Sequence, residues 1–223
     1  MGFELLASVP LFDGFEADDL ARILKLTSRK EFGKERVLVH ENDSGESFFM
    51  ILEGKVKVTG EGQDGKEVIL SFLGTGEFFG ELALVDDEPR SATVTAVEPT
   101  TVLILHRTDF LSLLEENGQM MKKFMTILSK RLRHANDQIK SLALLDVLGR
   151  IAKLMLDMAE KEGVKLLDGS VVFRRPTHQE IASMVGTSRE TVSRMIGELN
   201  KNRYITISGK DIIVRKEMRE EYA

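Results

Sequence analysis

Cysteine is absent from this 223-residue chain. Without thiols there is no disulfide, no thiolate nucleophile and no cysteine-ligated iron–sulfur or zinc site. Proline is scarce, at four residues, and no low-complexity tract occurs; with 42% hydrophobic and 30% charged residues the composition is that of a globular protein. No apolar run approaches the roughly 18 residues of a membrane span. The opening stretch MGFELLASVP lacks the basic flank and long apolar segment of a signal peptide, and Leu6 breaks the myristoylation pattern, so a cytoplasmic protein with no membrane partner is expected. GKS and GKT phosphate loops are missing, as are metal-ligand spacings and any histidine beside a candidate nucleophile. Glu81 as a general base would lack a partner to raise its pKa. The expectation is no enzyme, no catalytic residue, no metal and no covalent cofactor.

The length suits two domains, since a domain usually takes about 100 to 150 residues. Net charge is −5, but it is unevenly spread. Residues 140–223 carry 15 Lys and Arg against 12 Asp and Glu, while residues 1–139 carry 16 against 24. An acidic front and a mildly basic back suggest that only the back meets a polyanion.

Near the front, ADDLARILKL (17–26) places Leu20, Ile23 and Leu24 at helical spacing. From about Arg36 the pattern changes to short β-rich runs: VLVHEND, SFFMILEG, KVKVTGEG, EVILSFLG, SATVTAV and TTVLILH. Their near-regular spacing, with Asp64-Gly65 as a hairpin turn, predicts an antiparallel barrel or jelly roll. After His106 the β signal stops, and Asp109 to Leu148 contains no proline. Within it Met125, Leu128, Leu132, Ala135, Ile139 and Leu142 alternate spacings of three and four, a heptad seam. The stripe either packs on its own barrel or forms a parallel two-helix dimer seam. The dimer is favoured because the seam runs beyond what a small barrel covers. Asp146 resembles the cap of a new helix, making residues 143–147 a hinge.

Residues 177–204, THQEIASMVGTSRETVSRMIGELNKNRY, read as helix, tight turn, helix. Thr177 with Glu180 and Thr187 with Glu190 have capping-box spacing, separated by Gly186. On the second helix Val192, Met195, Ile196 and Leu199 share one face; Arg189, Glu190, Ser193, Arg194 and Gly197 share the other. Arg can meet guanine bidentately and Glu can accept from cytosine, so this face suits the major groove. The plainer reading is a solvated face with an i,i+4 Glu190–Arg194 pair. The flanking β segments VVFRR (171–175) and ITISGKDIIV (205–214), the latter turning at Gly209, make the unit a winged helix-turn-helix. Thr187, Ser188, Arg174, Arg175 and Lys210 can donate to phosphates. A charged pair, Glu81 and Arg90, stands in GELALVDDEPRSATV (80–94): either the two bond each other, or both point into a pocket, one for an anion and one for hydroxyls.

Three stretches, GEFFGELALVDDEPRSATV, LALLDVLGRIA and EIASMVGTSRETVSRMIGEL, in this order, resemble the CRP/FNR (catabolite activator) family of bacterial transcription regulators over essentially the whole chain. The resemblance implies an α+β protein: a cyclic-nucleotide-binding-type β-roll (1–108), a long dimerisation helix (109–145) and a winged helix-turn-helix DNA-binding domain (146–223). It implies ligand binding by Gly80, Glu81, Leu82, Arg90, Ser91, Ala92 and Asn136, with Glu81 on the ribose 2′-hydroxyl and Arg90 on the cyclic phosphate. It implies DNA binding by Thr177, Thr187, Ser188, Arg189, Glu190, Ser193 and Arg194. The expected partners are a second copy of the chain, palindromic double-stranded DNA with TGTGA-like half-sites, and RNA polymerase. Cyclic-AMP-responsive members carry adjacent hydroxyl residues that meet the adenine amino group; here Ala135 and Asn136 stand there. Ala135 forfeits a bond of about 1 kcal/mol, whereas the Asn136 amide can donate or accept. Cyclic AMP is the expected effector, with cyclic GMP or another ligand as alternatives. The lack of cysteine removes an oxygen-sensing cluster, and His40, His106, His134 and His178 show no pairing for haem. A second reading keeps the nucleotide site but has the winged helix contact protein.

Overall fold

Helix begins where the apolar spacing predicts it. In the computed structural model, which describes residues 6–7, 9–62 and 65–222, helix α1 spans Ala17–Leu26 and buries Leu20 and Ile23. Asp18 and Asp19 in its first turn and Lys25 in its last complement the helix dipole. Most of the MGFELLASVP stretch, and Asp64 of the expected turn, lie outside the described residues.

Eight strands follow: β1 (Thr27–Phe32), β2 (Val37–Val39), β3 (Ser47–Glu53), β4 (Lys55–Glu61), β5 (Glu67–Gly74), β6 (Phe78–Phe79), β7 (Thr93–Ala96) and β8 (Thr100–His106). A short helix α2 (Leu82–Val85) lies between β6 and β7. The strands form two four-stranded sheets, ordered β1-β8-β3-β6 and β2-β7-β4-β5, with antiparallel pairing throughout. This order is that of a jelly roll. Strand β3 reads as a continuous apolar run because both its faces are covered. Phe48, Met50 and Leu52 enter a core shared with the helices, while Phe49 and Ile51 enter the core between the two sheets.

The chain beyond β8 holds two helices where the pattern predicts one: α3 (Arg107–Glu116) and α4 (Gly118–Leu144). Asn117 interrupts them, with extended backbone at φ −127° and an Oδ1 that accepts from the N–H groups of Gln119 and Met120. Satisfying those orphan donors restarts the helix. Aromatic rings tie both helices to the sheet: Phe110 stacks on Phe48 at 4.3 Å and meets Phe124 edge-on at 5.6 Å. Met120 and Phe124 are buried and Leu128 packs partly on this core, but Met125, Leu132, Ile139 and Leu142 are 55–64% exposed. The first compact unit is Met1–Leu132 and the second Arg133–Ala223.

In the second unit α5 (Val147–Glu162) starts at Asp146, whose carboxylate accepts from the Gly149 N–H at 2.7 Å, as the sequence predicts. Then come β9 (Val164–Lys165), β10 (Val171–Arg174), α6 (His178–Val185), α7 (Arg189–Lys201), β11 (Ile205–Ser208), β12 (Asp211–Val214) and α8 (Lys216–Tyr222). The expected wing hairpin is present, within a sheet ordered β11-β12-β10-β9. Strand β9 is too short, and α8 too weakly patterned, to read from sequence. Around one core, Ile151, Met155, Phe173, Ile181, Ile196 and Met218 are buried.

Replacing Phe110 by Ala removes both ring contacts and leaves a cavity, so unfolding free energy should fall by about 3–5 kcal/mol. Urea titration of the variant should show a lower midpoint at an unchanged slope.

Candidate functional site

After β6 the chain turns at Gly80, with φ +82°, and runs through Glu81 into α2. A side chain at Gly80 would be strained, and its Cβ would sit 2.6 Å from Arg90 Nη1 and 3.0 Å from the Ser47 carbonyl oxygen. Gly45 packs against the other side of the same guanidinium, where a Cβ would lie 3.3 Å from it and 2.4 Å from the Ala83 Cβ. These close approaches seat Arg90. It is 5% exposed and donates to the Gly80 carbonyl at 2.7 Å and the Ser47 carbonyl at 2.8 Å. Its backbone joins the facing loop: the Arg90 N–H donates to Asp43, and Asn42 donates back to Arg90, both at 2.9 Å. Burial lowers the Arg90 pKa from its ordinary value, and the carboxylates of Glu81, Glu46 and Asp43 oppose that fall.

Of the two alternatives for this pair, a direct Glu81–Arg90 bond does not form. Glu81 accepts from Arg131 Nη1 at 2.8 Å, and Arg131 Nη2 donates to the Phe78 carbonyl at 2.5 Å. The Arg131 guanidinium also lies 4.6 Å over the Phe78 ring. Arg90 is turned toward backbone carbonyls, so the carboxylate takes its cation from α4 instead. Among the described residues Glu81 and Arg90 are the only buried charged residues, and both stand in this loop. Sequence reasoning passed over Arg131; its place immediately before the seam residue Leu132 was the available signal.

Gly80, Glu81, Arg90, Ser91 and Ala92 are thus brought to one loop system, with Leu82 and Ser91 exposed and Ala92 buried. The outer part of the loop is held by Asp87, at φ +62°, whose carboxylate accepts from Arg107 Nη1 at 2.5 Å. That bond raises the Arg107 pKa. Ala135 and Asn136 are exposed on α4.

The second constellation lies on α6 and α7. Thr177 and Glu180 form the expected capping box: the Thr177 N–H donates to Glu180 at 2.7 Å and the Glu180 N–H donates to the Thr177 hydroxyl at 3.2 Å. The Thr187–Glu190 box does not form. Gly186 ends α6 in the left-handed region, and the Thr187 N–H is taken by the Ala182 carbonyl at 3.1 Å. Helix α7 therefore begins one residue later, with Ser188 as cap accepting from the Thr191 N–H at 3.1 Å. Glu190 moves to the second helical position, where its carboxylate is not consumed by the cap.

Val192, Ile196 and Leu199 are buried and Met195 partly so, while Arg189, Glu190, Ser193, Arg194 and Gly197 are exposed. Among the described residues the Glu190–Arg194 ion pair does not form; both side chains instead line an open depression of about 450 Å³ with His178, Arg189 and Ser193. Thr177 and Ser188 are exposed and Thr187 half-buried. Arg174 is exposed, and Arg175 is positioned by its N–H bond to the Lys210 carbonyl at 3.0 Å. Arg150, on α5, donates to the Val185 carbonyl at the end of α6 and to the Leu145 carbonyl within the expected hinge, at 2.9 and 3.1 Å. Among the described residues no cluster of three or more potential ligands could hold a metal ion, and no helix is long and apolar enough to cross a membrane.

Comparison with known proteins finds two separate matches along the chain. Residues 29–117 match a model of the cyclic nucleotide-binding domain, and residues 149–219 match a Crp-like helix-turn-helix domain. The chain is 34% identical over 186 residues to the cAMP-activated global transcriptional regulator CRP of Pasteurella multocida, covering 82% of this chain and 88% of that one. It is 29% identical over 211 residues to a CRP-like cAMP-activated global transcriptional regulator of Mycobacterium tuberculosis, covering 95% and 94%. In fold it is similar to the c-di-GMP responsive global regulator CLP of Xanthomonas campestris, with a TM-score of 0.77, 22% identity, and coverage of 89% and 99%.

The shifted cap has a measurable consequence. Ser188→Ala should lower unfolding free energy by about 1 kcal/mol, and Thr187→Ala by less. Equal losses in thermal or denaturant unfolding would place the cap elsewhere.

Proposed function

The chain belongs to the CRP/FNR family of transcription regulators and binds DNA through its helix-turn-helix, and on that premise we propose that it is a homodimer gated by a cyclic mononucleotide, cyclic AMP first. The observation that carries the nucleotide reading is the burial of two charges in one loop. A buried charge is costly unless it is paired, and a fold retains such groups where a ligand or a partner uses them. Arg90 spends two N–H donors on carbonyls, and a guanidinium has five. The remainder, with the backbone N–H groups of Gly80, Ser91 and Ala92 and the exposed Ser91 hydroxyl, suits a phosphate, at about 1.5–3 kcal/mol for a charge-assisted bond. Glu81 accepts from the ribose 2′-hydroxyl, and Leu82 flanks the sugar. The names of the relatives favour cyclic AMP over cyclic GMP.

The Glu81–Arg131 bond then links ligand to helix. In the heptad that puts Leu132 at an a position, Arg131 is a g position and Asn136 an e position, and in a parallel pair g faces the partner's e. Asn136 of the partner subunit would thereby reach the base and stand beside Arg131. The exposed stripe Met125, Leu132, Ile139 and Leu142 supports the dimer, since a lone helix leaves it in water. Ligand binding that tightens this seam biases the hinge, and Arg150 couples the hinge carbonyl of Leu145 to the end of α6. Two recognition helices about 34 Å apart would enter successive major grooves of a palindrome with TGTGA-like half-sites. Arg189, Glu190 and Arg194 read base edges; Thr177, Thr187, Ser188 and Ser193 position the backbone. RNA polymerase is the proposed further partner.

Calorimetric titration of the nucleotide-stripped protein with cyclic AMP and with cyclic GMP tests the effector. Micromolar or tighter binding of cyclic AMP, lost in a folded Arg90→Ala variant, is expected; no heat with either nucleotide would assign the loop to another ligand. On the DNA side, Arg189→Ala should cost about 1–3 kcal/mol at one base pair and relax preference there. An equal loss for every sequence, measured by anisotropy against a panel of half-sites, would make Arg189 a phosphate contact only.

A further inference from the structure

His178 was not singled out by the sequence as a reading residue, yet it lines the same depression as Arg189, Glu190, Ser193 and Arg194. It is the first residue of α6, directly after the Thr177 cap, and is half-buried. Arg175 Nη1 lies 3.2 Å from its Nε2. A guanidinium can only donate, so this contact is a hydrogen bond only to a neutral ring that accepts at Nε2 and carries its proton on Nδ1. The charged groups around it are mostly cationic: Arg175 from the β10–α6 connection, and Arg189 and Arg194 from α7. Glu190 is the one acid of α7 in the depression, and Glu180 on its own helix is engaged by Thr177. Burial first, then the charges of Arg175 and Arg189, hold the histidine pKa below its ordinary value.

A DNA backbone laid on this face reverses that balance. Phosphates offset the arginine charges and offer acceptors, and an imidazolium presents two N–H donors where the neutral ring presents one. We infer that His178 is a phosphate-contacting residue that takes up a proton when DNA binds, so that DNA affinity rises as pH falls. The inference rests on the reading that the exposed face of α7 meets DNA. The sign follows from linkage: the free ring has the lower pKa and the DNA-bound ring the higher. Between the two values binding takes up a proton, and affinity gains at most about tenfold per pH unit for each proton taken up. Above the bound-state value the dependence ends.

The test uses the full chain with saturating cyclic AMP, a duplex carrying inverted TGTGA half-sites, and a non-specific duplex of equal length at low salt. Calorimetry near pH 6.5, the ordinary histidine value, in buffers of different ionisation enthalpy counts protons. The wild type should take up more protons than His178→Gln, by up to one per protomer, on both duplexes. Affinity should rise several-fold as pH falls from about 8 to about 6 in the wild type, and the profile of His178→Gln should be flat. His178→Arg, a permanent cation, should bind tightly and without pH dependence. Equal proton uptake by wild type and His178→Gln, with DNA bound by both, overturns the assignment. Uptake confined to the TGTGA duplex overturns the phosphate contact in favour of a base contact. Failure of the wild type to bind either duplex at any pH, with cyclic AMP shown by calorimetry to be bound, overturns the DNA-face reading itself.

Discussion

Two charges taken out of water govern the β-roll. Glu81 and Arg90 are 4% and 5% exposed, and neither bonds the other. Each therefore has to find compensation from other groups. Arg90 finds it in the carbonyls of Gly80 and Ser47, which forces glycine at position 80 and a close approach at Gly45. Glu81 finds it in Arg131, fifty residues on. The second solution ties the loop to the long helix that carries the exposed heptad stripe.

The long helix divides its work along its length. Its first turns bury Met120 and Phe124 against the aromatic ladder of Phe48, Phe78 and Phe110, which fixes the helix on the roll. Beyond that, four of the heptad positions, Met125, Leu132, Ile139 and Leu142, are 55–64% exposed. An apolar stripe of that regularity gains nothing from solvent and much from a second helix. The roll anchors the first turns of the helix.

The helix-turn-helix shows how a one-residue shift in a cap redistributes chemistry. With Thr187 serving the turn and Ser188 the cap, Glu190 does not reach back to the backbone as a capping box requires. It lies instead in the depression with Arg189, Ser193, Arg194 and His178. Arg175, held by the Lys210 carbonyl on the wing turn, completes the surroundings of that histidine.

Local pattern determined much of this protein. Periodicity marked α1, the strands of the roll, the seam on α4 and the buried face of α7, because each signal lies within a few residues of chain. The cap at Asp146, the box at Thr177 and the turn at Gly186 were legible for the same reason. Two spacings misled: the helix interruption at Asn117, where a side-chain oxygen captures two N–H groups, and the Thr187–Glu190 spacing, which matched a box that the preceding turn pre-empts. What only the tertiary structure decided is partnership across long separations. That Glu81 bonds Arg131 and not Arg90, that Arg90 lies between Gly80 and Ser47, and that His178 lines one depression with Arg189 and Arg194 depend on directions set by packing, and a buried charge takes the partner that the fold brings within hydrogen-bond reach.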